Sequence, residues 1–257
     1  MDRTFVVTGA ASGIGAATAR RLAGRGARVI TSDLHDANVI ADLATAEGRA
    51  ALVEGVRDRS GGRIDAIVAV AGGGPPETCI ALNFFGAVAT LEGLRPLLAG
   101  SPAPRAVAVS SIASLRPPPA GLVEACLALD EAAAAEVAPL AHDVQTGLVL
   151  YGAAKLALQL WCRQTAPDPQ WAGAGIPLNI VALGFYDTPA AAYVLGDPGS
   201  RAAMSALAPL SAAFPGRPDE AAALLAWCVS AENSQMTGQI LYADAGIECA
   251  ARRQRAA

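Results

Sequence analysis

Tyr151 and Lys155 stand four residues apart in Tyr151-Gly152-Ala153-Ala154-Lys155. On a helix, residues at that spacing share one face, so the phenol and the ammonium come within reach of each other. A nearby cation favours the phenolate, which predicts a tyrosine pKa below its ordinary value of about 10. A phenol tuned this way gives a proton to a carbonyl oxygen, or takes one from an alcohol. Tyrosine and lysine at this spacing also occur on many solvated helices, so the chemistry depends on what surrounds them.

A second group sits near the start of the chain. Thr8 to Gly15 read Thr-Gly-Ala-Ala-Ser-Gly-Ile-Gly and follow the apolar run Thr4-Phe5-Val6-Val7. A buried strand turning through glycines into a helix presents free backbone N–H groups and a positive dipole end, which suits a pyrophosphate. Gly9, Gly13 and Gly15 carry no Cβ, so the backbone can approach phosphates and the helix can pack close to the strand. The glycines run G-x-x-x-G-x-G, with the wider gap first, unlike the general G-x-G-x-x-G dinucleotide fingerprint. Asp33 ends the next strand, eighteen residues after Gly15. A carboxylate there accepts hydrogen bonds from an adenosine ribose and repels a 2′-phosphate. Neither Ser12 nor Leu34 is basic, so Coulombic sign favours NAD over NADP, and a protonated His35 would soften that preference.

Other chemistries lack their parts. Cys79, Cys126, Cys162, Cys228 and Cys249 are odd in number and widely spaced, with no C-x-x-C. That argues against a zinc site or disulfide framework and for reduced thiols in a cytoplasmic protein. His35 and His142 are the two imidazoles, with no acidic cluster beside them, so no metal is assigned. The net charge of −4 does not favour nucleic acid. No run reaches the roughly 18 apolar residues of a membrane span, and a strand beginning at Thr4 leaves no room for a signal peptide. The basic tail Arg252-Arg253-Gln254-Arg255 reads as a frayed, solvated end.

Apolar β-branched runs alternate with alanine-rich helical ones. Strands are expected over Thr4–Thr8, Arg28–Ser32, Ile64–Val70, Arg105–Ser110, Pro177–Ala182 and Gln239–Ala243, with a short one at Val39–Ile40. Helices are expected over Gly13–Ala23, Thr45–Arg57, Thr78–Leu98, Gly152–Thr165 and Asp219–Ser230. This alternation predicts βαβ units and a mostly parallel sheet covered on both faces, with ligands at the carboxyl ends of the strands. Two stretches break the rhythm. Residues 112–150 hold Arg116-Pro117-Pro118-Pro119 and then two helices, about 121–130 and 131–141. Residues 187–218 read as an irregular apolar segment, suited to a substrate lid or to an ordinary surface loop.

Taken together, TGAASGIG and YGAAK resemble the short-chain dehydrogenase/reductase family. Ser111 at the end of its strand matches the family's catalytic serine, and Asn83 in Leu-Asn-Phe-Phe-Gly matches its helix asparagine. Asn179, Gly184, Thr188 and Pro189 match the segment flanking the nicotinamide, while Thr237-Gly238-Gln239 and Asp244-Ala245-Gly246 match the closing strand. The segment from Asp33 to Arg49 and the long insert resemble the bacterial hydroxysteroid dehydrogenase/carbonyl reductase branch. The resemblance spans nearly the whole chain and implies a single-domain, Rossmann-type doubly wound α/β fold over residues 1–257, assembled as a homodimer or homotetramer. It implies that Tyr151 is the general acid/base and that Lys155 holds the nicotinamide ribose. Ser111 would hydrogen-bond the substrate oxygen, and Asn83 would support a proton-relaying water. Gly9, Ser12, Gly13, Ile14, Gly15, Asp33, Gly72, Gly184 and Thr188 would line the cofactor, and Asp42 and Leu43 the adenine. Asp42 could equally cap the helix that follows it.

The chain departs from the family in three places. Ala69-Val70-Ala71-Gly72 replaces the usual Asn-Asn-Ala-Gly, and Leu183-Gly184 replaces Pro-Gly. Forty positions separate Ser111 from Tyr151, and this insert is expected to alter or cover the surface that many members use for subunit contact. The expected activity is an NAD(H)-dependent interconversion of a secondary alcohol and a ketone on a hydrophobic substrate, steroid-like, terpenoid or aromatic. An NADPH-dependent biosynthetic ketoreductase and a catalytically silent nucleotide-binding protein are the competing readings.

Overall fold

A computed structural model describes residues 3–140 and 144–256 of the chain. One parallel sheet of seven strands runs β3-β2-β1-β4-β5-β6-β7. The strands are β1 (Thr4–Thr8), β2 (Arg28–Asp33), β3 (Val39–Ile40), β4 (Ala66–Ala69), β5 (Arg105–Ser111), β6 (Leu178–Leu183) and β7 (Ile240–Ala243). The central strands are apolar at almost every position, as strands buried on both faces must be. Strand order reverses between β1 and β4, which pair Phe5 with Ala66 and Thr8 with Ala69. A crevice therefore opens beyond the carboxyl ends of those two strands.

Helices cover both faces. On one, α1 (Gly13–Ala23) and α9 (Pro218–Cys228) bury Leu22, Leu225 and Val229 against Phe5, Val68 and Val107. On the other, α2 (Ala46–Ser60), α3 (Ala87–Leu94) and α6 (Val144–Thr165) bury Leu52, Leu91, Leu158 and Trp161 against Val6, Ile67 and Ile180. Each such side chain contributes roughly 1.5–3 kcal/mol of burial.

Four expectations are corrected. The helix expected over Thr78–Leu98 is broken into a 3₁₀ turn at Pro76–Thr78, a π turn at Ala81–Gly86, α3, and a 3₁₀ turn at Arg95–Leu98. Pro76 and Pro96 lack the N–H that a regular helix needs, and the π turn carries Asn83. The helix expected from Gly152 starts at Val144, so Tyr151 lies two turns inside α6. Residues 187–218 are not irregular: α7 (Ala192–Leu195) and α8 (Pro198–Leu207) form there, the latter capped by Asp197 accepting from Ser200 N at 2.7 Å. The basic tail is helical, in α10 (Ile247–Ala256), because Asp244 caps it through Glu248 N at 2.7 Å.

The insert folds as α4 (Leu122–Leu127) and α5 (Glu131–Val137), with Leu122, Val123, Cys126 and Ala134 buried in the core that includes α6. The expected end of the second insert helix at 141, and His142, lie outside the described residues. Among the described residues, no helix is long and apolar enough to cross a membrane.

Candidate active site

β5 and α6 bring the chemistry together. β5 ends at Ser111, and the chain continues into a 3₁₀ turn at Ile112–Leu115. A Cβ at Gly152 would lie 2.5 Å from Ala113 O, so only glycine lets α6 pack this closely on that turn. Tyr151 is thereby set beside Ser111. The Ser111 hydroxyl accepts Ala113 N–H at 3.1 Å and is hydrogen-bonded to the Tyr151 phenol. With that lone pair taken, the serine proton is free to point at Tyr151 Oη. The phenol's own proton is then free for a third group.

Lys155 lies one turn further along, 1 % exposed. Its Nζ donates to Val109 O at 3.0 Å and sits 5.5 Å from the centre of the Tyr151 ring. Here the expected lowering of the tyrosine pKa is corrected. Burial pushes the Tyr151 phenol up to about 12, opposed by the Ser111 hydrogen bond, while Lys155 is not among the groups that set it. Burial also pulls the lysine down, to about 8. Removing water penalises both charged forms, and at this separation the mutual attraction does not overcome that penalty.

Asn83 is fully buried in the π turn. Its Oδ1 accepts Gly73 N–H at 2.9 Å, and its Nδ2 donates to Gly73 O and Cys79 O, both at 2.8 Å. Thr8 Oγ1 accepts Val70 N–H and Ala71 N–H at 3.1 and 3.2 Å. These two side chains hold the segment after β4 where the family's paired asparagines are missing. A Cβ at Gly72 would lie 2.8 Å from Asn83 Oδ1 and 3.1 Å from Lys155 Nζ, so Gly72 separates those two groups. Cys79 was not singled out by the sequence. Its buried thiol, raised to about 11 by burial, lies close enough to Lys155, Tyr151 and Tyr193 for a thiolate there to be felt by all three.

The residues after β1 fit a dinucleotide. Gly9 and Gly13 take φ of +66° and +52°, a region side chains avoid, and a Cβ at Gly15 would lie 1.9 Å from Gly9 O. Ser12 caps α1 by backbone alone, and no acidic residue stands in the first turn. The free N–H groups of α1 thus meet no competing negative charge. Ile14 packs against the α1–α9 core. A Cβ at Gly13 would lie 3.2 Å from Thr188 Cγ2, so the segment after β6 arches back over the glycine turn. Gly184 abuts Asp244, where a Cβ would meet its Cα at 2.7 Å.

Asp33 holds the turn itself: Oδ2 accepts Ala11 N–H at 2.8 Å and Oδ1 accepts Leu34 N–H at 2.7 Å. Each oxygen keeps lone pairs for a ribose hydroxyl. Asp42 accepts Ala44 N–H at 2.9 Å, but Thr45 is the cap of α2, accepting Gly48 N–H at 3.0 Å. The capping alternative for Asp42 is therefore corrected. Leu43 is 4 % exposed, its side chain packed in the core.

Comparison with known proteins agrees with this geometry. The short chain dehydrogenase family model matches residues 3–123, and a model described as enoyl-(acyl carrier protein) reductase matches residues 130–248. The chain is 33 % identical to the 3α-hydroxysteroid dehydrogenase/carbonyl reductase of Comamonas testosteroni, over 96 % of this chain and 97 % of that one. It is 33 % identical to the cis-4-hydroxycyclohexanecarboxylate dehydrogenase of Sinomonas cyclohexanicum, over 95 % and 96 %. The crystal structure of a 3α-hydroxysteroid dehydrogenase from Pseudomonas sp. B-0831, complexed with NADH, superposes with a TM-score of 0.88 at 36 % identity, covering 98 % of this chain and 99 % of that one. With its sheet order, its glycine turn and its full-length relatives in agreement, the chain belongs to the short-chain dehydrogenase/reductase family of nicotinamide-dependent oxidoreductases.

Proposed function

We propose that this chain interconverts a cyclic secondary alcohol and its ketone with NAD(H). The observation that carries the proposal is the Tyr151–Ser111 hydrogen bond beside buried Lys155. Tyr151 gives its proton to the carbonyl oxygen in reduction and takes one from the alcohol in oxidation. When substrate is bound, the single Ser111 proton turns from Tyr151 Oη to the substrate oxygen and opposes the charge that builds there. Lys155 would hold a ribose hydroxyl, and Asn83 fixes the loop that carries Gly72. Gly9, Ser12, Gly13, Ile14 and Gly15 would hold the pyrophosphate, with Gly184 and Thr188 on the nicotinamide side. Asp33 would bind the adenosine ribose, with Asp42 and Leu43 beside the adenine. The bound dinucleotide supplies or accepts the hydride.

The preference for NAD(H) rests on the sign of the Asp33 charge and on the NADH complex of the Pseudomonas relative. The substrate class rests on the relatives named for steroid and cyclohexane alcohols, and on the largely exposed Tyr193 ring of α7. Tyr193 on α7 stands within electrostatic range of Tyr151. One observation favours a narrower reading. Arg116 acts on Tyr193 electrostatically, and its Cβ lies 3.7 Å from the position a Cβ on Gly152 would take. A cation beside Tyr193 suits a ring carrying a carboxylate, and one relative is named for such a substrate.

The test is NADH and NADPH consumption against steroid, terpenoid, aromatic, acetoacetyl and 4-oxocyclohexanecarboxylate ketones. Turnover with a cyclic ketone and a preference for NADH are expected. Turnover confined to acetoacetyl thioesters with NADPH would overturn the proposal in favour of a biosynthetic ketoreductase.

A further inference from the structure

Tyr151, Lys155 and Gln159 lie at i, i+4 and i+8 on α6, hence on one face. Gln159 is 3 % exposed, and burying a primary amide costs free energy unless its bonds are all made. Its Nε2 lies 2.9 Å from Ser110 Oγ and 2.8 Å from Ser114 Oγ. Those two hydroxyls flank the site on either side of Ser111. Ser110 Oγ donates to Lys155 O at 3.0 Å, and Ser114 Oγ donates to Ser111 O at 2.7 Å.

The direction of this network is forced. A carbonyl oxygen only accepts, so each serine spends its one proton on a backbone carbonyl. Each then has only lone pairs left to offer Gln159, so the atom between them is the amide nitrogen, with both N–H groups used. The amide oxygen faces the other way, 3.3 Å from Tyr242 Oη, which therefore donates to it. Tyr242 Oη is in turn hydrogen-bonded to the Arg252 side chain. Tyr242 and Arg252 belong to the wall of a surface cavity of about 600 Å³. One run of donors thus passes from that wall, through Gln159, to the backbone carbonyls of Ser111 and Lys155.

We infer that Gln159 is a positioning residue for the reaction: its amide locks the two serine hydroxyls and so fixes the backbone that carries Ser111 and Lys155. The inference rests on the assignment of Ser111 and Tyr151 made above. Each serine is held at one end by its bond to a backbone carbonyl, and the fork supplies the second restraint, tying the two hydroxyls to one rigid amide. Chains of donors running in one sense also polarise each other, which stiffens the arrangement.

Gln159→Met keeps the volume and removes both donors. Measured on the alcohol or ketone found by the substrate panel, kcat should fall about tenfold or more, as small misplacements of reacting groups do. KM for NADH should change less than kcat, since the glycine turn and Asp33 are untouched and only the Lys155 contact to the ribose is loosened. A loosened Ser111 donates less well to Tyr151, so the phenolate forms less readily and the pH midpoint for alcohol oxidation should move upward. Tyr242→Phe removes only the outer donor and should move the same midpoint in the same direction by less, which keeps the test available if Gln159→Met does not fold. A lower melting temperature with kcat and the pH midpoint unchanged would make Gln159 a packing residue and overturn the inference. Ser111→Ala separates the two claims: if it retains turnover, the catalytic assignment fails; if it loses turnover while Gln159→Met matches wild type, only this inference fails.

Discussion

Lys155 carries its charge where almost no water reaches, and its pKa of about 8 against an ordinary 10.5 measures the strain. The folded state disfavours its charged form by about 3 kcal/mol, from 1.36 kcal/mol per pKa unit. The sign follows from linkage. Below pH 8 the lysine is charged in both the folded and unfolded states, and the full penalty opposes folding. As pH rises from 8 towards 10.5 the folded state loses its proton first and the penalty fades. Lys155→Met should therefore raise the melting temperature by several degrees at pH 7, with the gap closing by pH 10.5, while turnover is lost. A variant less stable than wild type at pH 7 would mean that the bond to Val109 O outweighs the desolvation. Tyr151→Phe makes the complementary test. It removes the proton carrier and leaves the glycine turn alone, so turnover should fall at least ~100-fold, within the range for loss of a general acid. NADH affinity, read by fluorescence titration, should stay nearly intact. Comparable activity in the variant would remove Tyr151 from the mechanism.

At the scale of elements, the glycine turn is the part that sequence conveyed most fully. α1 spans Gly13–Ala23 as expected, because strand, glycines and alanine-rich helix all point to one geometry. Gly15→Ala should cost folding or cofactor binding outright, since its Cβ would stand 1.9 Å from a backbone oxygen that cannot move without the turn. Normal NADH affinity in that variant would show that the turn gives way. Asp33→Asn keeps an acceptor for one amide but drops the charge. It should raise kcat/KM for NADPH about tenfold or more, through loss of repulsion at the 2′-phosphate, with only a small fall in melting temperature. An unchanged NADH-to-NADPH ratio would limit Asp33 to holding Ala11 and Leu34. The four side chains expected to do the chemistry were legible for a related reason: Tyr151, Lys155, Ser111 and Asn83 sit in short motifs that name them. Thr8, Cys79 and Gln159 were not, because their roles arise from contacts such as those to Val70, Lys155 and Ser110, which lie 62, 76 and 49 positions away and which no local pattern records. The π turn was hidden likewise, since Asn83 is held by Gly73, ten residues back. By contrast α8 and α10 left signals that went unused: Asp197-Pro198 is a helix start, and Glu248 to Arg252 is an i, i+4 ion pair.

Over the whole molecule, two cores lie on opposite faces of one sheet, and the insert, built outside that sheet, needs anchors of its own. Arg49 of α2 supplies one. Its guanidinium makes a two-pronged bond to Glu131 of α5, at 2.6 and 2.8 Å, donates to Ala81 O at 2.9 Å, and sends its Nε to Leu43 O at 2.9 Å. A planar fork meets four acceptors on three parts of the chain, which a lysine cannot do. The Arg49 side chain is 13 % exposed and that of Glu131 43 %, so water competes at the carboxylate end of the pair more than at the guanidinium. Arg49→Ala would remove the Arg49 bonds to the Leu43 and Ala81 carbonyls and cut the ion pair to α5, while the half-exposed Glu131 carboxylate turns to water, for roughly 1–2 kcal/mol of lost stability. The loss should be local first. Amide exchange across α4 and α5 should speed up well before exchange in α1 or β5, because α5 loses its anchor while the sheet keeps both cores. Arg49→Lys should fall between the two, keeping the charge but not the fork. Since Ala81 opens the π turn that carries Asn83, Arg49→Ala should also quicken exchange at Gly73 N–H, whose partner is Asn83 Oδ1. Exchange that rises evenly over the whole chain would show that the insert is no separate unit and that Arg49 supports the fold as a whole.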